Sequence, residues 1–165
     1  MALFKPFAMF NRVTDITPEF LIKNGIKGLA LDADNTLSEH HSQTPHEGVE
    51  QWLDLMRESG IKLIMVSNAK AERVAPFADR LGLAYTSTSL KPLPFGFLRA
   101  AKSMDLLRKS IAAVGDQLFT DMLGANLAGV KGILVTPIKP EQGASFRLRR
   151  RIERPLIAKY NSKTE

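Results

Sequence analysis

Cysteine is absent from the 165-residue sequence, which excludes a disulfide scaffold, a thiolate zinc site and a cysteine nucleophile. Long apolar runs are missing as well. The longest stretch without Asp, Glu, Lys or Arg is ten residues, 81–90, half of what a membrane-spanning helix needs. The first ten residues hold no continuous apolar core of signal-peptide length and no small-residue cleavage site, so a cytoplasmic protein is expected. No repeat or low-complexity tract interrupts the chain. What is present, 44% hydrophobic and 24% charged residues, is ordinary globular composition in a chain of one-domain length.

The net charge of +6 invites a polyanion partner, but its distribution is uneven. Residues 1–28 carry four Lys/Arg against two acids, residues 29–144 twelve against thirteen, and residues 145–165 seven against two. The body is slightly acidic and the excess sits at the ends. The chain is therefore read as one domain, 1–165, with a lead-in segment (1–25) and a basic C-terminal segment (145–165).

Short runs apolar on both faces, at 26–32, 61–67, 111–116 and 132–136, suit strands of a parallel sheet covered on both sides, with a weaker strand at 83–86. Thr44-Pro45-His46-Glu47 reads as an N-cap, first-turn proline and capping-box acid before the stripe Val49, Trp52, Leu53, Met56, with Gly60 closing the helix. Further helices are expected at 69–81, from 94 toward 105, and at 120–128. Pro76 conflicts with the first of these, bending it or delaying its start. The alternation implies a Rossmann-like α/β fold, a doubly wound parallel sheet of about five strands. Ligands of such sheets bind at the carboxyl ends of the strands, where Asp32, Ser67 and Asp116 fall.

Asp32-Ala33-Asp34-Asn35-Thr36 closes the first of these strands. Two carboxylates this close raise each other's pKa, and a hard cation such as Mg²⁺ removes that cost while leaving positions for phosphate. A strand-end carboxylate can attack phosphorus, and its neighbour can protonate the leaving oxygen. Taken alone, the pair is an ordinary Asx turn. Ser67-Asn68 can hold a phosphoryl oxygen or simply cap a helix. Lys91 can neutralise phosphoryl charge or lie solvated on a loop. In Gly115-Asp116-Gln117-Leu118-Phe119-Thr120-Asp121, Asp116 can complete a metal site, and Asp121 can pair with Lys91 or a metal-bound water; the alternative is an acidic helix start. The four elements in this order at strand ends make a specific set.

That set resembles the haloacid dehalogenase superfamily of aspartate-nucleophile phosphatases. The runs 25–37, 66–68, 91–92 and 114–121 resemble its subclass IIIA, the YqeG-type branch, which includes mitochondrial-type phosphatidylglycerophosphate phosphatases. The resemblance implies Asp32 as nucleophile and Asp34 as general acid/base. It implies Mg²⁺ held by Asp32, Asp116 and the Asp34 carbonyl, phosphate bound by Thr36, Ser67, Asn68 and Lys91, and Asp121 in support. Ala69 stands where many relatives carry a second Asn, and the loop 38–43 lacks a Trp common after the first motif; both differences bear on substrate contacts. About ten residues separate Thr36 from the next helix and about 24 separate Ser67 from Lys91, too few for an inserted cap domain. An open site admits the phosphate of a large molecule or of a lipid headgroup.

The segment 146–157 mixes five arginines with Phe, Leu and Ile, which on a helix suits peripheral contact with an anionic membrane; the alternative is a solvated helix end packed on the sheet. Phe4, Phe7 and Phe10 offer a second interfacial contact. Nucleic acid is disfavoured as a partner because aromatic platforms between the arginines are missing. A soluble sugar phosphate or nucleotide as substrate, and an RNA-binding module with a relic site, stand as alternatives. His40, His41 and His46 read as loop and helix-start residues rather than a zinc site.

Overall fold

The computed structural model describes residues 2–140 and 142–161; the last four residues of the basic segment lie outside them. Six strands form one parallel sheet: β1 (Ala8–Phe10), β2 (Gly28–Leu31), β3 (Lys62–Val66), β4 (Ala84–Thr86), β5 (Ile111–Gly115) and β6 (Lys131–Val135), in spatial order β1-β6-β5-β2-β3-β4. The helices are α1 (Pro18–Lys23), α2 (Val49–Glu58), α3 (Ala71–Leu81), α4 (Phe95–Met104), α5 (Leu123–Ala128) and α6 (Ala144–Asn161). This is the doubly wound fold expected, with β2 at its centre and no inserted domain after β2 or between β3 and β4 among the described residues.

Strand alternation explains the two covered faces. Leu29 and Leu31 of β2, Ala112 and Val114 of β5 and Met65 of β3 pack with Trp52, Leu53, Met56, Val74 and Phe77 of α2 and α3. Ala30, Ala113, Ile64 and Val66 point the other way, onto Phe97, Ala100 and Ala101 of α4 and Ala125 of α5. Each fully buried Leu, Ile or Met contributes roughly 1.5–3 kcal/mol, so the strands are held by what lies above and below them. The buried Trp52 indole donates to the Ile16 carbonyl at 2.8 Å and fixes α2 to the lead-in.

Three features depart from the sequence expectations. The lead-in supplies a sixth strand, β1, which pairs with β6 through Ala8↔Ile133 and Phe10↔Val135. A three-residue, half-buried edge strand carries too little periodicity to be read from sequence. Second, Thr44 does not cap α2. Ser38 bridges to both Asp34 and Pro45, and His46 N–H donates to the Leu37 carbonyl, so this stretch folds back along the end of β2. The helix starts instead after Gly48, whose φ of +83° suits glycine alone. Third, α3 begins two residues late, because Ser67 Oγ accepts from Ala69 N–H and keeps 67–69 in a turn; Pro76 then sits inside the helix.

Candidate active site

The chain leaves β2 at Asp32, whose N–H donates to the Val114 carbonyl of β5 at 2.9 Å. It then curls back, with Leu37 and Ser38 N–H donating to the Ala33 carbonyl and Asn35 in the left-handed region at φ +59°. The turn leaves Asp32 and Asp34 at the carboxyl edge of the sheet, one strand from Asp116 at the end of β5.

Lys91 reaches into this edge from the loop after β4. Only 8% exposed, its ammonium lies 2.6 Å from Asp32 Oδ1 and 2.7 Å from Asp121 Oδ1. Asn68 holds the lysine in place through its backbone: the side-chain amide donates to the Lys91 carbonyl at 3.1 Å and accepts from its N–H at 2.7 Å. Asp121 sits in a π-helical turn, Leu118–Met122, directly against Gly115, where any Cβ would run into the Asp121 carboxyl group. Burial lowers the Lys91 pKa, but Asp121 and Asp32 more than offset it, and the net shift is upward, so the ammonium stays charged. Asp32 moves the other way from an ordinary acid. Burial, opposed by Lys91 and reinforced by Asp121, pushes its carboxyl up to about 7.

Asp116 is 1% exposed. One of its oxygens, Oδ2, pairs with the Arg150 guanidinium of α6, while Oδ1 is buried with no partner among the described residues. Burial, and then the charge of Asp32, raise its pKa well above the usual range, although Arg150 opposes them. Asp32, Asp116 and Asp121 each offer an oxygen within 4.8 Å of the others. Two buried carboxylates and a mostly buried third, one of them with an unpartnered oxygen, are costly to hold together without a cation, and an all-oxygen donor set suits a hard divalent ion. The residues present fit a metal.

Asp34 is anchored apart from that cluster. Its Oδ1 takes the Arg73 guanidinium and the His41 N–H at 2.9 Å, with His40 Nδ1 3.7 Å away. The His40 and His41 rings lie 3.8 Å apart, centroid to centroid, and Arg73, His40 and burial lower the His41 pKa, burial foremost. His46 lies elsewhere, lining with Thr36 and Thr136 a cavity of about 300 Å³.

Of the residues singled out from sequence, Asp32, Lys91, Asp116 and Asp121 converge on one point. Ser67, 3% exposed, ends β3 beside them with its hydroxyl engaged by Ala69 N–H. Asn68 is occupied with the Lys91 backbone, and the buried Thr36 hydroxyl has no partner among the described residues, although Thr36 lines the cavity shared with His46. Three residues escaped the sequence reading. Arg73 was one cation on a helical face. Arg150 was one of five arginines in a basic run. Glu153 alone carried a signal, as the one acid inside that run, and it is fully buried.

Two carboxylates at a central strand end, a buried lysine and a third acid on the neighbouring strand make a compact charged cluster at the carboxyl edge of the sheet. Residues 23–129 match the haloacid dehalogenase-like hydrolase family, and the chain belongs to it. It is 35% identical over 160 residues to the probable phosphatase YqeG of Bacillus subtilis, covering 97% of this chain and 93% of that one. The chain is thus an enzyme of the phosphatase type, in the YqeG-like branch. Solved structures share the fold at lower identity. The cobalt-bound deoxy-D-mannose-octulosonate 8-phosphate phosphatase of Haemophilus influenzae matches with a TM-score of 0.54 and 14% identity, over 70% of each chain. NagD from E. coli K-12 matches with a TM-score of 0.56 and 14% identity, over 67% of this chain and 87% of that one.

Proposed function

We propose that this phosphatase is a Mg²⁺-dependent phosphomonoesterase working through an aspartyl-phosphate on Asp32, with phosphatidylglycerophosphate or a related phosphorylated anionic headgroup as substrate. The observation that carries the chemistry is the Asp32 carboxylate at the end of β2, held 2.6 Å from a buried ammonium and with an oxygen within 4.8 Å of one from Asp116.

In this reading Lys91 and Ser67 draw the phosphoryl oxygens in, and the lysine cancels charge that builds on them. Asp32 attacks phosphorus in line, the bond to the leaving oxygen breaks, and Asp34 delivers a proton to that oxygen. Arg73 and the His41 N–H occupy Asp34 Oδ1, so Oδ2 is the proton-carrying oxygen. Asp34 then takes a proton from water, which attacks the aspartyl-phosphate and frees Asp32. Mg²⁺, held by Asp32, Asp116 and the Asp34 carbonyl, would neutralise phosphate charge and let two anions meet.

Three surface features support a lipid substrate. Leu90, Leu93 and Phe95 stand 56%, 47% and 52% exposed around Lys91, an apolar rim beside the site. Leu148 and Ile152 are exposed on α6 among Arg147, Arg151 and Arg154. Between α6 and the β1–β6 edge lies a cavity of about 720 Å³, lined by Phe10, Leu134 and Ile157 but also by Asp116 and Arg154. No helix among the described residues is long and apolar enough to cross a membrane, so any such contact is peripheral. The chain acts as one domain on this reading, in the cytoplasm against the inner membrane face. The test is phosphate release from phosphatidylglycerophosphate in mixed micelles, compared with soluble sugar phosphates and nucleotides. Asp32→Asn is expected to abolish turnover on all of them. Residual Mg²⁺-dependent activity in that variant removes the nucleophile; faster turnover of a soluble ester removes the lipid.

A further inference from the structure

α6 is an unusual helix in that its one buried side chain is an acid. Glu153 is 0% exposed, and Oε1 accepts from the backbone N–H groups of Leu118 at 2.9 Å and Phe119 at 3.3 Å. Oε2 takes Arg150 Nη1 at 3.0 Å. The same Nη1 donates to the Asp116 carbonyl at 2.6 Å, while Nη2 pairs with Asp116 Oδ2. One helical turn of α6 therefore engages the carbonyl and carboxylate of Asp116 and the two amides that begin the π-helical turn. That turn in turn carries Asp121. Leu156, Ile157 and Tyr160 only half-bury against Leu118, Met122 and Leu134, so hydrophobic packing accounts for part of the docking and the polar contacts for its register.

A buried carboxylate and guanidinium cost several kcal/mol in desolvation unless they satisfy other groups, and a hydrophobic pair of the same size docks a helix at least as well. The contacts described here fall on Asp116, Leu118 and Phe119, next to an oxygen that has no partner among the described residues. Resting on the reading of Asp116 as a cation ligand, we infer that Arg150 and Glu153 are positioning residues: a clamp from the C-terminal helix that fixes the Asp116 carboxylate so that Oδ1 alone faces the cation. Arg150 takes one carboxylate oxygen and leaves the other, the arrangement by which an outer partner orients a metal-ligating group. Glu153 holds the guanidinium in its plane and stops the loop from turning Asp116 away.

The measurement is Mg²⁺ binding by titration calorimetry on the full chain, free of substrate, with thermal unfolding in chelator run alongside. Arg150→Ala is expected to weaken Mg²⁺ binding by about tenfold or more, and millimolar guanidinium to restore much of it. Arg150→Lys keeps the charge without the fork, remains folded, and is expected to lose affinity to a lesser degree. Glu153→Gln keeps the acceptor oxygen but not the charge and falls between wild type and Arg150→Ala. In steady-state assays the loss should appear as a raised Mg²⁺ requirement, with kcat at saturating Mg²⁺ and the substrate KM little changed. Unchanged Mg²⁺ affinity in both Arg150 variants overturns the clamp, whatever happens to melting temperature. Tighter Mg²⁺ binding in Arg150→Ala overturns it too, since the arginine would then compete for the cation's place. Asp116→Asn separates the two levels. If it binds Mg²⁺ like wild type, Asp116 is no ligand and the clamp falls with that reading. If it loses Mg²⁺ while the Arg150 variants do not, the clamp alone falls.

Discussion

The metal-free protein should become less stable as pH rises toward neutrality, and Asp32→Asn should remove most of that loss. Burial pushes the Asp32 carboxyl from an ordinary 3.8 to about 7, with Lys91 opposing and Asp121 reinforcing the shift. Between those values the folded chain keeps a proton that the unfolded chain has released. The unfolded state thus binds fewer protons, and unfolding free energy falls with rising pH across that window. The span is roughly three pH units at about 1.4 kcal/mol each, a ceiling on the order of 4 kcal/mol. Asp116, raised mainly by burial, adds to the slope in the same direction. Lys91 does not, because an ammonium whose pKa is raised is protonated in both states at neutral pH.

Asparagine in place of Asp32 imitates the protonated acid. Variant and wild type should therefore be nearly equal only near pH 4 or below and diverge as pH rises, the variant being more stable by roughly 1–2 kcal/mol at pH 5 and by on the order of 2–4 kcal/mol at pH 8. Urea unfolding in chelator at pH 5, 6, 7 and 8 measures this directly. Added Mg²⁺ should recover wild-type stability at pH 8, by about 2.7 kcal/mol at a hundred times its Kd, and leave Asp32→Asn less affected. Parallel curves for the two proteins would refute the reasoning, because the proton would then reside elsewhere or the site would be too wet to hold it.

Lys91→Met leaves Asp32 and Asp121 buried without their shared cation; a loss of about 3–5 kcal/mol is expected in chelator, together with turnover. A loss under 1 kcal/mol in urea unfolding would mean the lysine is not their counter-ion. Gly115→Ala drives a methyl group into the Asp121 carboxyl, so activity should fall with a stability cost of about 1–3 kcal/mol, read from kcat and a melt. Leu148→Ser with Ile152→Ser removes only exposed apolar surface; it should leave hydrolysis of p-nitrophenyl phosphate intact and reduce co-sedimentation with anionic vesicles. Undiminished co-sedimentation would take α6 out of membrane contact.

The central strands and the acids at their ends were readable because both signals are local. A run such as 111–116 is apolar on both faces in any context, and Asp32 and Asp116 follow directly from where such runs stop. The start of α2 differs from its sequence pattern for an equally physical reason. Thr44-Pro45 has the chemistry of a helix cap, but the Ser38 bridges claim those residues for an extended return along β2, a contact that no short window contains. Asn68 shows the same limit at the site. Its position beside Ser67 was legible; its task, clipping the backbone of a lysine 23 residues away, was not.

The basic C-terminal segment is where sequence pattern and structure part furthest. Helix prediction rests on finding an apolar stripe, and the inward face of α6 is built instead from Arg149, Arg150 and Glu153, with partly buried apolar residues at Phe146 and again in its second half. Five arginines that look equivalent therefore do two jobs. Arg149 and Arg150 bond to Gln117 and Asp116, whereas Arg147, Arg151 and Arg154 are exposed. The two groups answer differently to salt. Exposed charges more than about 10 Å from their partners are largely screened at 0.1 M, whereas a guanidinium locked against a buried carboxylate is screened far less. Vesicle binding should thus fall between 0.05 and about 0.3 M salt while Mg²⁺ affinity holds. The positive tail is not one electrostatic feature but two, back to back on a single helix: one turned to the acids of the site, the other to the surface on which the substrate is proposed to lie.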